Sequence, residues 1–121
     1  MRISVRAQDF DLPAGLREHT ERHLRLALGW AGEHLRRVSV RLDGGSSPCG
    51  RRDKRCRIAI VIAGTKGLII EDTETDFYVA IGRAADRASR TVALRLDRQR
   101  AASADVSAST PPAGPVTLPR R

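Results

Sequence analysis

Arginine is the commonest of the side chains in this sequence that are able to do chemistry. Arg51, Arg52, Lys54, Arg55 and Arg57 are five cations within seven residues. Further on, Arg83, Arg87, Arg90 and Arg98 fall within about 80° of one another when wound on a helix at about 100° per residue. Only Asp86 and Asp97 lie close to this second set in sequence, so its positive field is expected to persist. A planar guanidinium grips phosphate with two hydrogen bonds at once, which an ammonium does not. Arg83, Arg87, Arg90 and Arg98 are therefore the first candidates for a phosphate-binding surface. Arg51, Arg52, Lys54 and Arg55 form a second set, on a loop, and Arg22 and Arg25 a third, on a separate helix. The acidic residues Glu71, Asp72, Glu74 and Asp76 gather just before the helix that carries the first set, where capping its N-terminus is their simplest role.

Other chemistry is poorly provided for. His19 and His23 stand one helical turn apart, a spacing that can hold a metal, but no Glu-x-x-His partner or close cysteine pair completes a site. Cys49 and Cys56 bracket six residues, where compact zinc knuckles use about two to four. The cations between them favour thiolates, and two free thiols are expected. Gly64-Thr65-Lys66-Gly67 lacks the Walker spacing and precedes a strand, so it reads as a turn. No nucleophile sits beside a base and no carboxylates pair in a pocket-like context. An enzyme is not expected, nor a metal, a cofactor or a small-molecule substrate.

The 121 residues carry 22 Lys and Arg against 14 Asp and Glu, a net charge of +8. That excess on one small domain points to nucleic acid before an anionic membrane or an acidic protein. Aromatics make up 3% of the chain, too few for the stacking platforms that read single-stranded bases. No window approaches the roughly 18 to 20 apolar residues of a membrane span, and Asp9, Asp11 and Glu18 interrupt the first twenty, so a cytoplasmic protein is expected.

These side chains need elements to position them. Residues 2–7 alternate, with Ile3, Val5 and Ala7 on one face and Arg2, Ser4 and Arg6 on the other. Asp11 and Pro13 offer helix-start chemistry, and Leu16, Thr20, Leu24, Leu28 and Ala31 then recur at helical spacing with Leu26 and Trp30 beside them. Residues 36–43 alternate again, Val38, Val40 and Leu42 inward and Arg37, Ser39 and Arg41 outward. Residues 58–63 and 68–71 flank a glycine-bounded turn and predict an antiparallel hairpin. A second helix opens near Asp76 and carries Phe77, Ile81, Ala84, Ala85, Ala88, Val92 and Leu96 on one face to about Arg100. The order is βαβββα, an α+β fold in which the first crossover makes strands one and two parallel and a meander adds two more. Two helices on one face of a four-stranded mixed sheet leave the other face open, with Arg2, Arg6, Arg37 and Arg41 on it. Residues 1–100 form the domain; the Pro-, Ala- and Ser-rich residues 101–121 are expected to be a disordered tail.

Gly67-Leu68-Ile69-Ile70, followed by Asp76-Phe77-Tyr78-Val79-Ala80-Ile81 and then Asp86-Arg87 and Arg90, resembles the ribosome hibernation-promoting factors, also called ribosome-associated inhibitors or sigma-54 modulation proteins. Leu16-Arg17-Glu18-His19 and residues 24–30 are similar to that family's first helix, so the resemblance covers about residues 1–100. Departures are Gly82 in place of a second Asp, Arg83 and Ala84 in place of leucines, and Leu94 where a lysine is usual. The resemblance implies a non-enzymatic factor that occupies the mRNA and tRNA decoding channel of the small ribosomal subunit during starvation or stationary phase. It implies that Arg87 and Arg90 face ribosomal RNA, and that Asp76, Tyr78 and Ile81 form the structural signature of the helix start. Long members carry a second, ribosome-pairing domain, and this chain resembles a short form. The other classes compatible with the charge are a free double-stranded RNA-binding module, whose domain the predicted fold is like, and a regulatory module docking an acidic protein through residues 51–57.

Overall fold

A computed structural model describes residues 1–8, 10–44 and 54–109, the last seven as backbone only. The chain divides into two units, residues 1–90 and 91–121. The first holds strands β1 (Arg2–Gln8), β2 (Leu35–Asp43), β3 (Lys54–Ile62) and β4 (Leu68–Glu74), helix α1 (Ala14–Leu28) with a 3-10 extension (Gly29–His34), and the start of helix α2 (Phe77–Ser109). The sheet order is β1-β2-β3-β4. β1 runs parallel to β2, and β2, β3 and β4 are successively antiparallel. This is the predicted βαβββα arrangement.

Strand alternation sorts the two faces. Val5, Val38, Val40, Leu42, Cys56, Ile58, Ile60, Ile62, Leu68 and Ile70 turn to one side and are buried. They meet Leu16, Leu24 and Leu28 of α1 and Ala80, Ile81, Ala84, Ala85 and Ala88 of α2, all buried in turn. The alanines keep α2 low over the sheet, and the core is aliphatic, as the composition requires. Thr20 is the one buried polar side chain among the described residues; its hydroxyl donates to the Leu16 carbonyl at 2.8 Å.

Several boundaries differ from the expected ones for identifiable reasons. α1 begins after Pro13, whose extended ψ and lack of an amide proton suit the position before the first turn; its carbonyl accepts from the Arg17 amide at 3.0 Å. Asp11 lies too early in the chain to cap, and no side chain does. Leu26 lies about 200° around α1 from buried Leu24 and is 79% exposed, and Trp30, in the 3-10 extension, is 53% exposed. The Trp30 indole instead donates to the Ser89 hydroxyl at 3.1 Å, tying the α1 end to α2. β3 starts four residues before the apolar run at Ile58, since Lys54, Arg55, Cys56 and Arg57 pair across to both neighbours. In the second unit α2 continues to Ser109, past Arg100, through an Ala- and Ser-rich run with no breaker before Pro111. Residues 110–121 lie outside the described residues.

The β3–β4 hairpin depends on two glycines. Gly64 has φ 80°, a left-handed conformation costly for residues with a Cβ. Gly67 is needed for space, since a Cβ there would stand 2.7 Å from the Ile60 carbonyl oxygen. Gly29, by contrast, has right-handed helical angles and open space around it. Gly67→Ala is expected to lower stability by about 1–3 kcal/mol, and Gly29→Ala to raise it by about 0.4–1 kcal/mol. Urea unfolding of the two variants checks the opposite signs.

Candidate nucleic-acid interface

The helix arginines are not the uncompensated ladder that sequence spacing suggests. Strand alternation places Asp72 and Glu74 on the helix-covered side of β4. There Arg83 Nε lies 3.4 Å from Glu74 Oε2 and Arg87 Nη1 lies 3.5 Å from Asp72 Oδ2. Arg87 also donates to the Glu71 carbonyl oxygen at 2.7 Å. The carboxylates are well covered, 16% and 15% exposed, while the guanidinium groups remain more than half exposed. The expectation that only Asp86 and Asp97 could offset this face is therefore corrected. A carboxylate brought in from a neighbouring strand is invisible to helix spacing.

Of the four expected acidic caps, Asp76 alone takes that role. Its Oδ1 accepts from the Tyr78 amide at 2.6 Å, and its carbonyl accepts from the Ala80 amide at 3.0 Å. The other signature residues are structural too. Ile81 is fully buried, and the Tyr78 ring meets His19 edge-on at 4.6 Å between centroids, joining α2 to α1. Arg83, one of the departures from the family pattern, is thus explained by its partner Glu74.

The remaining candidates are dispersed. Arg90, Arg22 and Arg25 are exposed, and Arg98, in the second unit, is exposed as well. Arg51, Arg52 and Cys49 lie outside the described residues. Lys54 belongs to β3 rather than to a loop; its ammonium sits 5.8 Å from the Phe77 ring centroid, and Phe77 stacks on Phe10 at 5.0 Å. Arg55 also belongs to β3 and points to the opposite, open face.

That open face holds the most concentrated positive charge among the described residues. Parallel register sets Arg2 beside Arg37 and Arg6 beside Arg41, and antiparallel register sets Arg41 beside Arg57. Between these two charged rows runs a row of small residues, Ser4, Ser39 and Ala59. Together they line a trough of about 520 Å³. Arg57 approaches Glu71 at 3.8 Å, and no carboxylate among the described residues pairs with Arg2, Arg6, Arg37 or Arg41. The Nε of Arg41 is buried and has no hydrogen-bond partner among the described residues. Sequence reading put four of these arginines on the open face but did not count them as a site. The signal was the i, i+4 repeat of arginine in each of two strands, Arg2/Arg6 and Arg37/Arg41, which coincides only once the register is known.

No group of three or more His, Cys, Asp or Glu side chains able to hold a metal occurs among the described residues. His19 and His23 lie 5.7 Å apart between centroids. Cys56 is fully buried in the core, and burial, with Asp72 nearby, pushes its thiol up to about 12. The expectation that neighbouring cations would favour a thiolate is reversed here, because the side chain points into the core and away from Arg55 and Arg57.

Residues 3–100 match the family described as sigma 54 modulation protein / S30EA ribosomal protein. The chain belongs to that family. Its members are ribosome-associated factors rather than enzymes. Solved structures of low identity share the fold. A ribosomal subunit interface protein from Coxiella burnetii is 14% identical, with TM-score 0.68 over 80% of this chain and 99% of that one. The N-terminal domain of Protein Y from Thermus thermophilus is 21% identical, with TM-score 0.62 over 76% of this chain and 96% of that one. No curated protein matches the sequence.

Two titrations follow from these surroundings. Burial, and then the charges of His23 and Arg22, hold His19 below the ordinary histidine value. The unfolded chain then binds the proton more readily, so stability is full above about pH 6.5 and falls as pH drops through that value toward the lower folded one. The melting temperature should decline between pH 7.5 and 5.5, and the decline should be shallower in His19→Gln. In a Cys49→Ser background, Cys56 should react with iodoacetamide at pH 8 roughly a thousandfold more slowly in the folded protein than in denaturant.

Proposed function

We propose that this protein is a ribosome hibernation factor that binds the small ribosomal subunit in its mRNA and tRNA decoding channel and keeps idle ribosomes out of translation. The family match across residues 3–100 is the observation that carries this reading. The net charge of +8 and the arginine-rich surface supply the affinity, by neutralising ribosomal RNA phosphates and releasing their counterions. Recognition is by shape and charge, since the chain has one Trp, one Tyr and two Phe, and of these Phe10 and Phe77 stack on each other and Tyr78 meets His19 edge-on.

In this reading the described residues up to Arg100 are the ribosome-binding part, acting in the cytoplasm during stationary phase or starvation. The function needs neither a cofactor nor a small-molecule substrate. No helix among the described residues is long and apolar enough to cross a membrane.

The test is co-sedimentation of the protein with purified small subunits at rising salt. If about six phosphates are neutralised, affinity should fall roughly a thousandfold from about 50 to 200 mM salt. In extracts the protein should travel with ribosomal particles from starved cells and be scarce on those from growing cells. Association that ignores salt, or equal affinity for a naked RNA duplex, overturns the proposal.

A further inference from the structure

We infer that the open face of the sheet is where this protein takes hold of RNA, and that its trough receives one single-stranded segment by its phosphates. The inference rests on the ribosome reading and sharpens it, since it assigns the grip to the sheet rather than to α2.

Electrostatics favours this face. Like charges directly opposite one another across strands destabilise a sheet, and here Arg2 faces Arg37, Arg6 faces Arg41, and Arg41 faces Arg57. Asp72 and Glu74 offset Arg87 and Arg83 on the covered side of β4. On the open side, Glu71 reaches only Arg57. Asp43 lies two residues beyond Arg41 on β2, opposite Arg55. Among the described residues no carboxylate pairs with Arg2, Arg6, Arg37 or Arg41, and the repulsion between them is one that a polyanion resolves. The Nε of Arg41 is buried without a hydrogen-bond partner among the described residues.

Shape specifies the ligand further. Arg2 and Arg6 are four residues apart on one strand, about 13 Å at the usual rise, as are Arg37 and Arg41. The trough thus has two positive ends joined by a floor of Ser4, Ser39 and Ala59, whose small side chains let a backbone lie close. Two separated anchors call for phosphates in series. No aromatic residue lines the trough, so it offers no stacking surface to bases, and a strand held here is held by its backbone. A depression one sheet wide accommodates a single strand, whereas a duplex presents its phosphates on two.

The experiment uses the full chain and two variants, Arg37→Gln/Arg41→Gln in the trough and Arg90→Gln on the exposed part of α2. Replacing the trough pair removes repulsion, so its melting temperature should hold or rise. Affinity for a 12-nucleotide single-stranded RNA should fall at least tenfold in the trough variant, and its salt slope by about 1.4 for two lost phosphate contacts. Arg90→Gln, which tests the rival grip on α2, should lose less affinity than the trough variant, and a duplex of the same sequence should bind the parent more weakly than the single strand. An unchanged trough variant, a larger loss in Arg90→Gln, or a preference for the duplex overturns the inference. Small subunits, assayed in parallel, separate the two claims: binding lost through α2 but not the trough refutes this site alone, and no binding by the parent protein refutes the ribosome reading.

Discussion

The whole arrangement depends on the two-residue period of a β-strand, which forces whatever lies between core residues onto the opposite face. Val38, Val40 and Leu42 are buried under the helices, so Arg37, Ser39 and Arg41 have nowhere to go but the open side. β1 repeats the pattern in parallel register, and β3 adds Arg57 on the other side of β2. A register slip of one residue would bury arginines and expose the aliphatic row together. The hydrophobic core and the positive face are thus one constraint seen from two sides, and the charged surface is held as firmly as the core is packed.

β4 shows the same period used to opposite effect. Its inward residues Leu68 and Ile70 join the core, and continuing the alternation brings Asp72 and Glu74 to the helix side, where they meet Arg87 and Arg83. Half-exposed pairs of this kind are each worth little in isolation. Their effect is on the distribution of charge: the helix arginines next to the sheet have local anionic partners, while most of those on the open face have none among the described residues. The Arg87 contact with the Glu71 carbonyl also fixes that side chain to the strand.

α2 is positioned by small and aromatic residues at its start. Buried Ala80, Ala84, Ala85 and Ala88 allow close approach to the sheet, Asp76 closes the first turn, and Tyr78 and Trp30 fasten the helix to α1 and its extension. These contacts give the signature residues a structural role. Asp76, Tyr78 and Ile81 build the helix start that the fold requires.

Element order, strand alternation and the aliphatic core were legible in the sequence because each is a local pattern with a fixed period, and the Asp76–Ile81 string was legible as a family resemblance. The charge was legible in amount and sign. Its address was not. Helix spacing placed Arg83 and Arg87 side by side but gave no view of Asp72 and Glu74, which arrive through strand pairing. Cys56 likewise read as part of a cationic segment, and only its burial in the sheet core shows why its thiol is held protonated. The sequence by itself determined which residues share a face within each element, because that follows from backbone geometry alone. Which elements lie side by side, and so which charges meet carboxylates and which meet only one another, was decided by tertiary packing, since Coulomb interactions depend on distance in space and not along the chain.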